Sequence, residues 1–310
     1  MKVTLRAVDT TGEARKRRAA TISVLANLAL IASELAVFLA TGSLAILSDA
    51  AHSVNDLAAA LLSYWGVTMA SRPPDAGHHY GHAKFENLSA LFQMALLALL
   101  ALGVMAQVGL SLATGYDVEM PLVGLLVIGV TMVVDVVMSR YLMKVGSLYG
   151  SYALQADALH FASDLWAKGA VVVGLLGVAI GLWWLDSAGA LVVALIMLAL
   201  AIRLGWRASH SLIDAAPPGV VEAAVHRILA QETKGLRYHS LRLRQSGIWV
   251  CLDVALDLPD DASLKDAHEL ACRISRRIQE EVPQVRDAVI YVEPEGHHQD
   301  CPNGPPTASQ

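Results

Sequence analysis

Six long apolar stretches separated by short polar breaks fill the first two thirds of the chain. Their pattern predicts membrane helices over Ala19–Ala40, Leu44–Ala70, Lys84–Leu112, Met120–Met143, Ser151–Leu182 and Ser187–Arg207. Each supplies the roughly 20 residues that a spanning helix requires. The second and fifth are the least apolar, because each carries charges inside its span. After Pro217 and Pro218 the pattern changes. Val220–Thr233 reads as an amphipathic helix. Leu236–Gln245 alternates as a strand, and Gly247 supplies a turn. Ile248–Leu258 is a second strand, with Trp249, Cys251 and Asp253 opposite Val250, Leu252 and Val254. Ser263–Val282 is a charged amphipathic helix and Val285–Val292 a last strand. The order αββαβ predicts a small α+β sheet with helices on one face. The expected fold is therefore a membrane all-α six-helix bundle followed by an α+β domain. The expected boundaries are 1–18 for a cytosolic N-terminal segment, 19–210 for the bundle, 211–295 for a cytosolic domain, and 296–310 for a Pro-, Gly- and Ser-rich disordered tail.

The basic residues give the bundle an orientation. Arg15, Lys16, Arg17 and Arg18 precede the first span. Arg72 and Lys84 bracket the second break, Arg140 and Lys144 flank the fourth, and Arg203 and Arg207 close the sixth span. The remaining breaks hold no Lys or Arg. The positive-inside rule then places both termini in the cytosol. Composition agrees with an integral membrane protein, since 55% of residues are hydrophobic, 16% are charged and mean hydropathy is +0.48. The mild net charge of −5 argues against a nucleic-acid partner. No small-residue cleavage site follows the first apolar stretch, so no removable signal peptide is expected. Cys251, Cys272 and Cys301 form no CxxC pair and read as reduced cytosolic thiols.

The candidate chemistry lies in the second and fifth spans. One reads Asp49-Ala-Ala-His52-Ser-Val-Asn-Asp56 and the other Asp157-Ala-Leu-His160-Phe-Ala-Ser-Asp164. In both, steps of three and four residues put the polar side chains on one helix face. Ionisable groups inside a bilayer cost several kcal/mol each, so these must face one another or water. Two imidazoles and two carboxylates meeting between helices give four N/O ligands, a set suited to zinc and also to cobalt or cadmium. His52, Asp56, His160 and Asp164 are the expected ligands. Asp49 and Asp157 lie one turn nearer the start of each helix, as supporting or helix-packing groups. The same groups bind protons, and metal binds imidazole only when it is neutral, so metal and proton compete for one site. A second cluster, Asp75, His78, His79 and His82, falls in a break that the charge rule places in the cytosol, where it could bind one metal. Glu34, Gln93, Asp135 and Lys168 are further polar residues within spans. Asp135 is expected to pair with basic residues near the cytosolic end of the fourth. In the tail, His297, His298 and Cys301 have ligand chemistry without ligand spacing.

The two HxxxD pairs, the segment His78-His-Tyr-Gly-His82-Ala-Lys84 and the segment Arg244-Gln-Ser-Gly247 resemble the cation diffusion facilitator family over nearly the whole chain. The resemblance implies a homodimer that exchanges cytosolic divalent metal, with zinc first, for protons by alternating access. No organic cofactor is implied. The setting would be a lipid bilayer, here a bacterial inner membrane. It also implies a loop metal site at Asp75, His78 and His82, and an interlocking salt bridge at the dimer's membrane seam on Lys84 and Asp214. The family's cytosolic domain is metallochaperone-like and often binds two metals. Here His239, His268 and Glu293 occupy ligand-like positions, but Ala255 and Tyr291 fall where relatives often carry His. Cys251 and Asp253 could offer a different arrangement with His268. At most a weak regulatory site is expected there.

Three other readings stay open from the sequence. An intramembrane metalloenzyme would want an open water position and a general base, and no HExxH motif is present. A metal sensor or assembly scaffold could use a transporter-like body. A transporter of the same family could prefer iron(II), cobalt, cadmium or manganese.

Overall fold

A computed structural model describes residues 10–41, 44–114, 122–179, 184–217, 219–247 and 249–295. The chain divides into two compact units between Ser209 and His210. Six long helices build the first: α1 (Thr10–Thr41), α2 (Leu44–Ala70), α3 (Lys84–Thr114), α4 (Leu122–Leu148), α5 (Tyr152–Ala179) and α6 (Trp184–Leu212).

Three of them hold stretches long and apolar enough to cross a bilayer by length and composition alone: Thr11–Ala40, Lys84–Leu110 and Ser187–Leu212. The expectation of six such spans is met, among the described residues, by three. The others match them in length, at 27, 27 and 28 residues. They carry charges well inside: Asp49 and Asp56 in α2, Asp135, Arg140 and Lys144 in α4, Asp157, Asp164 and Lys168 in α5. α1 starts ahead of the expected Ala19, because Lys16 is no solvated tail residue. It is buried, with Nζ 2.7 Å from both Glu13 Oε1 and Glu86 Oε1 of α3.

Packing in this unit follows membrane rules, with small residues at helix contacts and polar groups inside. A Cβ on Gly66 of α2 would stand 2.4 Å from Ser89 Cβ of α3, and the Ser89 hydroxyl donates to the Leu62 carbonyl at 2.6 Å. Ser139 of α4 donates to the Ala158 carbonyl of α5 at 3.0 Å. Ala90, Met94 and Ala101 of α3 pack with Met197, Ala201 and Ala208 of α6. Outward, Leu39, Leu99, Val130 and Val133 are exposed, as a lipid-facing surface requires.

The second unit holds α7 (Gly219–Glu232), β1 (Tyr238–Ser246), β2 (Trp249–Leu258), α8 (Leu264–Glu281) and β3 (Val285–Pro294). The sheet order is β1-β2-β3, with β1 antiparallel and β3 parallel to β2. Alternation sets the faces. Val250, Leu252, Val254 and Leu256 bury against Val225, Ile228 and Leu229 of α7 and Ile274 and Ile278 of α8. Cys251, Asp253 and Ala255 therefore lie on the opposite face, where Cys251 and Asp253 are half-buried and Ala255 is buried. Ser263 caps α8, its hydroxyl accepting from the Asp266 amide at 3.1 Å. The expected tail, with His297, His298 and Cys301, lies outside the described residues.

Candidate metal-transport site

α2 and α5 are packed neighbours, and one turn of helix separates His from Asp on each. The structure brings three of the four expected ligands together. One ligand atom from each of His52, Asp56 and Asp164 lies within 4.8 Å of the others, and His52 Nε2 is 3.7 Å from Asp164 Oδ1. Asp56 Oδ1 is shielded from solvent and accepts no hydrogen bond from the described residues. An oxygen so placed is suited to a cation.

His160 stands apart from that group of three. It is 2% exposed, and its Nε2 lies 3.3 Å from the Gln93 carbonyl of α3. A carbonyl only accepts, so Nε2 carries the proton and Nδ1 presents its lone pair. Nδ1 is buried without a hydrogen-bond partner. Ser163 donates to the His160 carbonyl at 2.7 Å and lies 3.4 Å from Asp164 Oδ1, tying the two ends of this turn together. Asp157 is buried and faces Ser23 of α1 and Ser63 of α2, as a packing group would. The Asp49 side chain lies outside the described residues. Asp135 Oδ2 lies 2.8 Å from Lys168 Nζ of α5, in a pairing that helical periodicity within α4 could not reveal.

The loop between α2 and α3 gathers Asp75, His78 and His82, again with ligand atoms within 4.8 Å. Asp75 Oδ1 accepts from the Gly77 and His78 amides at 2.9 and 2.8 Å. His78 Nδ1 is 3.4 Å from Asp75 Oδ1, and His82 Nε2 is 3.3 Å from Asp75 Oδ2. The His78 backbone amide, helped by that of Gly77, holds the exposed Asp75 carboxyl below its ordinary value. Gly81, at φ 84°, provides the tight reversal that returns His82 to the cluster.

In the second unit the expected ligands separate. β1 bulges between His239 and Arg242, with Ser240 at φ 54°. There His239 Nε2 comes within 3.1 Å of Asp257 Oδ1 and 3.6 Å of Glu293 Oε2. Asp257 escaped the sequence reading. Its signal is its register opposite Glu293 on neighbouring parallel strands. Cys251 lies across from Arg244, and Asp253 across from Arg242 at 4.0 Å. Both look away from the face that α8 covers, so neither joins His268, whose Nε2 is 3.5 Å from Cys272 Sγ on α8. Asp214, at φ 59°, sits 3.6 Å from Arg244 Nη1. Its expected partner Lys84 belongs to the other unit.

Family models and known proteins match the chain over most of its length. The cation efflux transmembrane domain matches residues 20–213, and the cation efflux protein cytoplasmic domain matches residues 217–295. The cation-efflux pump FieF of Cronobacter sakazakii is 31% identical over 89% of this chain and 92% of its own length. An uncharacterized transporter of Synechocystis is 29% identical over 89% of both chains. Another, of Methanocaldococcus jannaschii, is 27% identical over 88% of this chain and 96% of its own. The chain belongs to the cation efflux family, the cation diffusion facilitators, which are integral-membrane transporters rather than enzymes and carry a dimerising cytoplasmic domain.

Proposed function

We propose that this protein exports zinc, or a divalent transition metal of similar ligand preference, from the cytosol in exchange for protons. The observation that carries the reading is the convergence of His52, Asp56 and Asp164 between two helices. Mixed imidazole and carboxylate ligands favour zinc over harder cations. His160, one turn from Asp164 with a free Nδ1 lone pair, is the fourth ligand once its ring swings from Gln93.

All six helices of 19–210 span the membrane, both termini face the cytosol, and 211–295 forms the cytosolic dimer contact, with Lys84 and Asp214 at the membrane seam. The membrane is the bacterial inner membrane. Metal enters past Asp75, His78 and His82, exchanging one set of mixed ligands for another. It binds His52, Asp56, His160 and Asp164, and the bundle rocks to expose the site outward. Protons then replace the metal on the same imidazoles and carboxylates, and the protonated site returns.

Zinc flux into vesicles under an imposed pH gradient tests the proposal. Wild type should transport, and D56A and D164A should abolish flux. Flux in the H52A and H160A variants that no longer follows the pH gradient would sink the shared-site coupling. Wild type that carries no divalent metal would sink the whole reading.

A further inference from the structure

α5 carries one more charge at helical spacing. Asp157, His160, Asp164 and Lys168 follow in steps of three, four and four residues, so Lys168 stands one turn beyond Asp164 on the same face. Lys168 Nζ lies 2.8 Å from Asp135 Oδ2, and Asp135 is 1% exposed. A carboxylate buried this deeply needs a counter-charge.

The pair acts on the ligand cluster. Lys168 stands one helical turn from the proposed ligand Asp164 on the same helix, and Asp135 joins it from α4. Among the elements packed on α5, α2 brings His52 and Asp56, α4 brings Asp135, and α3 brings the neutral Gln93. With neutral imidazoles, Asp56 and Asp164 give the cage two negative charges, which a divalent cation cancels. Lys168 and Asp135 add one charge of each sign and leave that balance intact. Either alone would tip it, in opposite directions.

Resting on the transport reading above, we infer that the Lys168–Asp135 pair is a charge-balancing element of the transport site that sets metal affinity against release. Lys168 is a positioning residue. Its ammonium keeps Asp135 engaged on α4, so Asp135 cannot become a third carboxylate for the metal, and it moderates the pull of the cage on a divalent cation.

The test is zinc flux in proteoliposomes with apparent KM and maximal rate measured separately. An unbalanced unit charge about 10 Å from a divalent ion, at an effective dielectric of about 50, between the values for a protein surface and for water, changes affinity by about tenfold. K168M should therefore lower KM by about tenfold and slow turnover, whereas D135N should raise KM by about tenfold. K168R and the neutral double variant K168M/D135N should stay within about twofold of wild type. The reversed pair, K168D/D135K, keeps a neutral bridge but puts the carboxylate on α5 one turn from Asp164, so its KM should fall. A bridge that merely holds α4 to α5 would move both single variants alike and leave the reversed pair at the wild-type KM, and either result overturns the inference. Should the single variants fail to fold, the reversed pair against the neutral double still decides: equal KM values reject it. Wild type with no zinc flux and no zinc binding rejects the proposed function and this inference together. Wild-type flux with unmoved KM in the variants rejects the inference alone.

Discussion

The His160 Nε2 lies 3.3 Å from the Gln93 carbonyl of α3, which fixes the imidazole tautomer and leaves Nδ1 as the lone-pair atom. In the proposed site His160 becomes the fourth ligand, so its ring is expected to move toward His52, Asp56 and Asp164 and coordination to loosen α5 from α3. Cobalt(II), as a spectroscopic stand-in for zinc, should give the strong visible absorption of a tetrahedral site in wild type. H160A should lose that intensity and weaken binding by about tenfold or more. A spectrum unchanged in H160A would leave the metal with His52, Asp56, Asp164 and a water.

Asp75 supplies a prediction whose sign follows from its hydrogen bonds. The Gly77 and His78 amides favour the ionised carboxylate and lower its pKa in the folded loop. A depressed carboxylate contributes order that is fully present above its unfolded pKa and lost as pH falls through the folded value. Protection of the Gly77 and His78 amides against hydrogen exchange should persist to the bottom of the usual carboxylate range and vanish below it. D75N should remove that pH dependence and weaken metal binding at the loop, read by zinc titration of a variant whose membrane site is disabled by D164A.

Much of the site was legible because one period governs it. The HxxxD spacing assigns His and Asp to one helix face, and His52, Asp56 and Asp164 do meet across α2 and α5. The Gln93 contact was not legible, since a main-chain carbonyl on a third helix carries no side-chain signature. Asp257 was hidden for another reason. A local bulge at Ser240 re-aims His239, and regular alternation along β1 does not foresee it. The expected boundary puts Arg15–Arg18 in a cytosolic segment ahead of the first span, yet Lys16 lies within α1, buried beside Glu13 and Glu86, partners separated from it by 3 and 70 residues. Charges at helical spacing announce themselves, whereas the partner that neutralises them lies in the fold.

Gly66 tests the packing that brings α2 to α3. A side chain there would place Cβ 2.4 Å from Ser89 Cβ and 2.7 Å from Ser89 Oγ. The helices must part, and the Ser89 bond to the Leu62 carbonyl must stretch. G66A is expected to destabilise the membrane unit by about 1–3 kcal/mol, seen as a lower Tm in detergent. Since α2 carries His52 and Asp56, zinc affinity should fall with it. The double variant G66A/S89G should recover part of both, because the steric partner is removed.

The two described cysteines should differ in reactivity, and the difference reports the sheet's faces. Cys272 is exposed on α8 with its Sγ 3.5 Å from His268 Nε2. Cys251 is half-buried on β2, and burial pushes its thiol above the ordinary value. Only the thiolate attacks a maleimide, so a raised pKa and reduced access act in the same direction. In a Cys301→Ser background, mass spectrometry near neutral pH should find Cys272 labelled first and Cys251 slowly, the gap narrowing as pH rises. R244A should slow Cys251 further, because the Arg244 guanidinium across the strand favours the thiolate. Labelling of Cys251 as fast as Cys272 would mean that the β2 face carrying Cys251 and Asp253 is far more open to solvent than the register of β1, β2 and β3 implies.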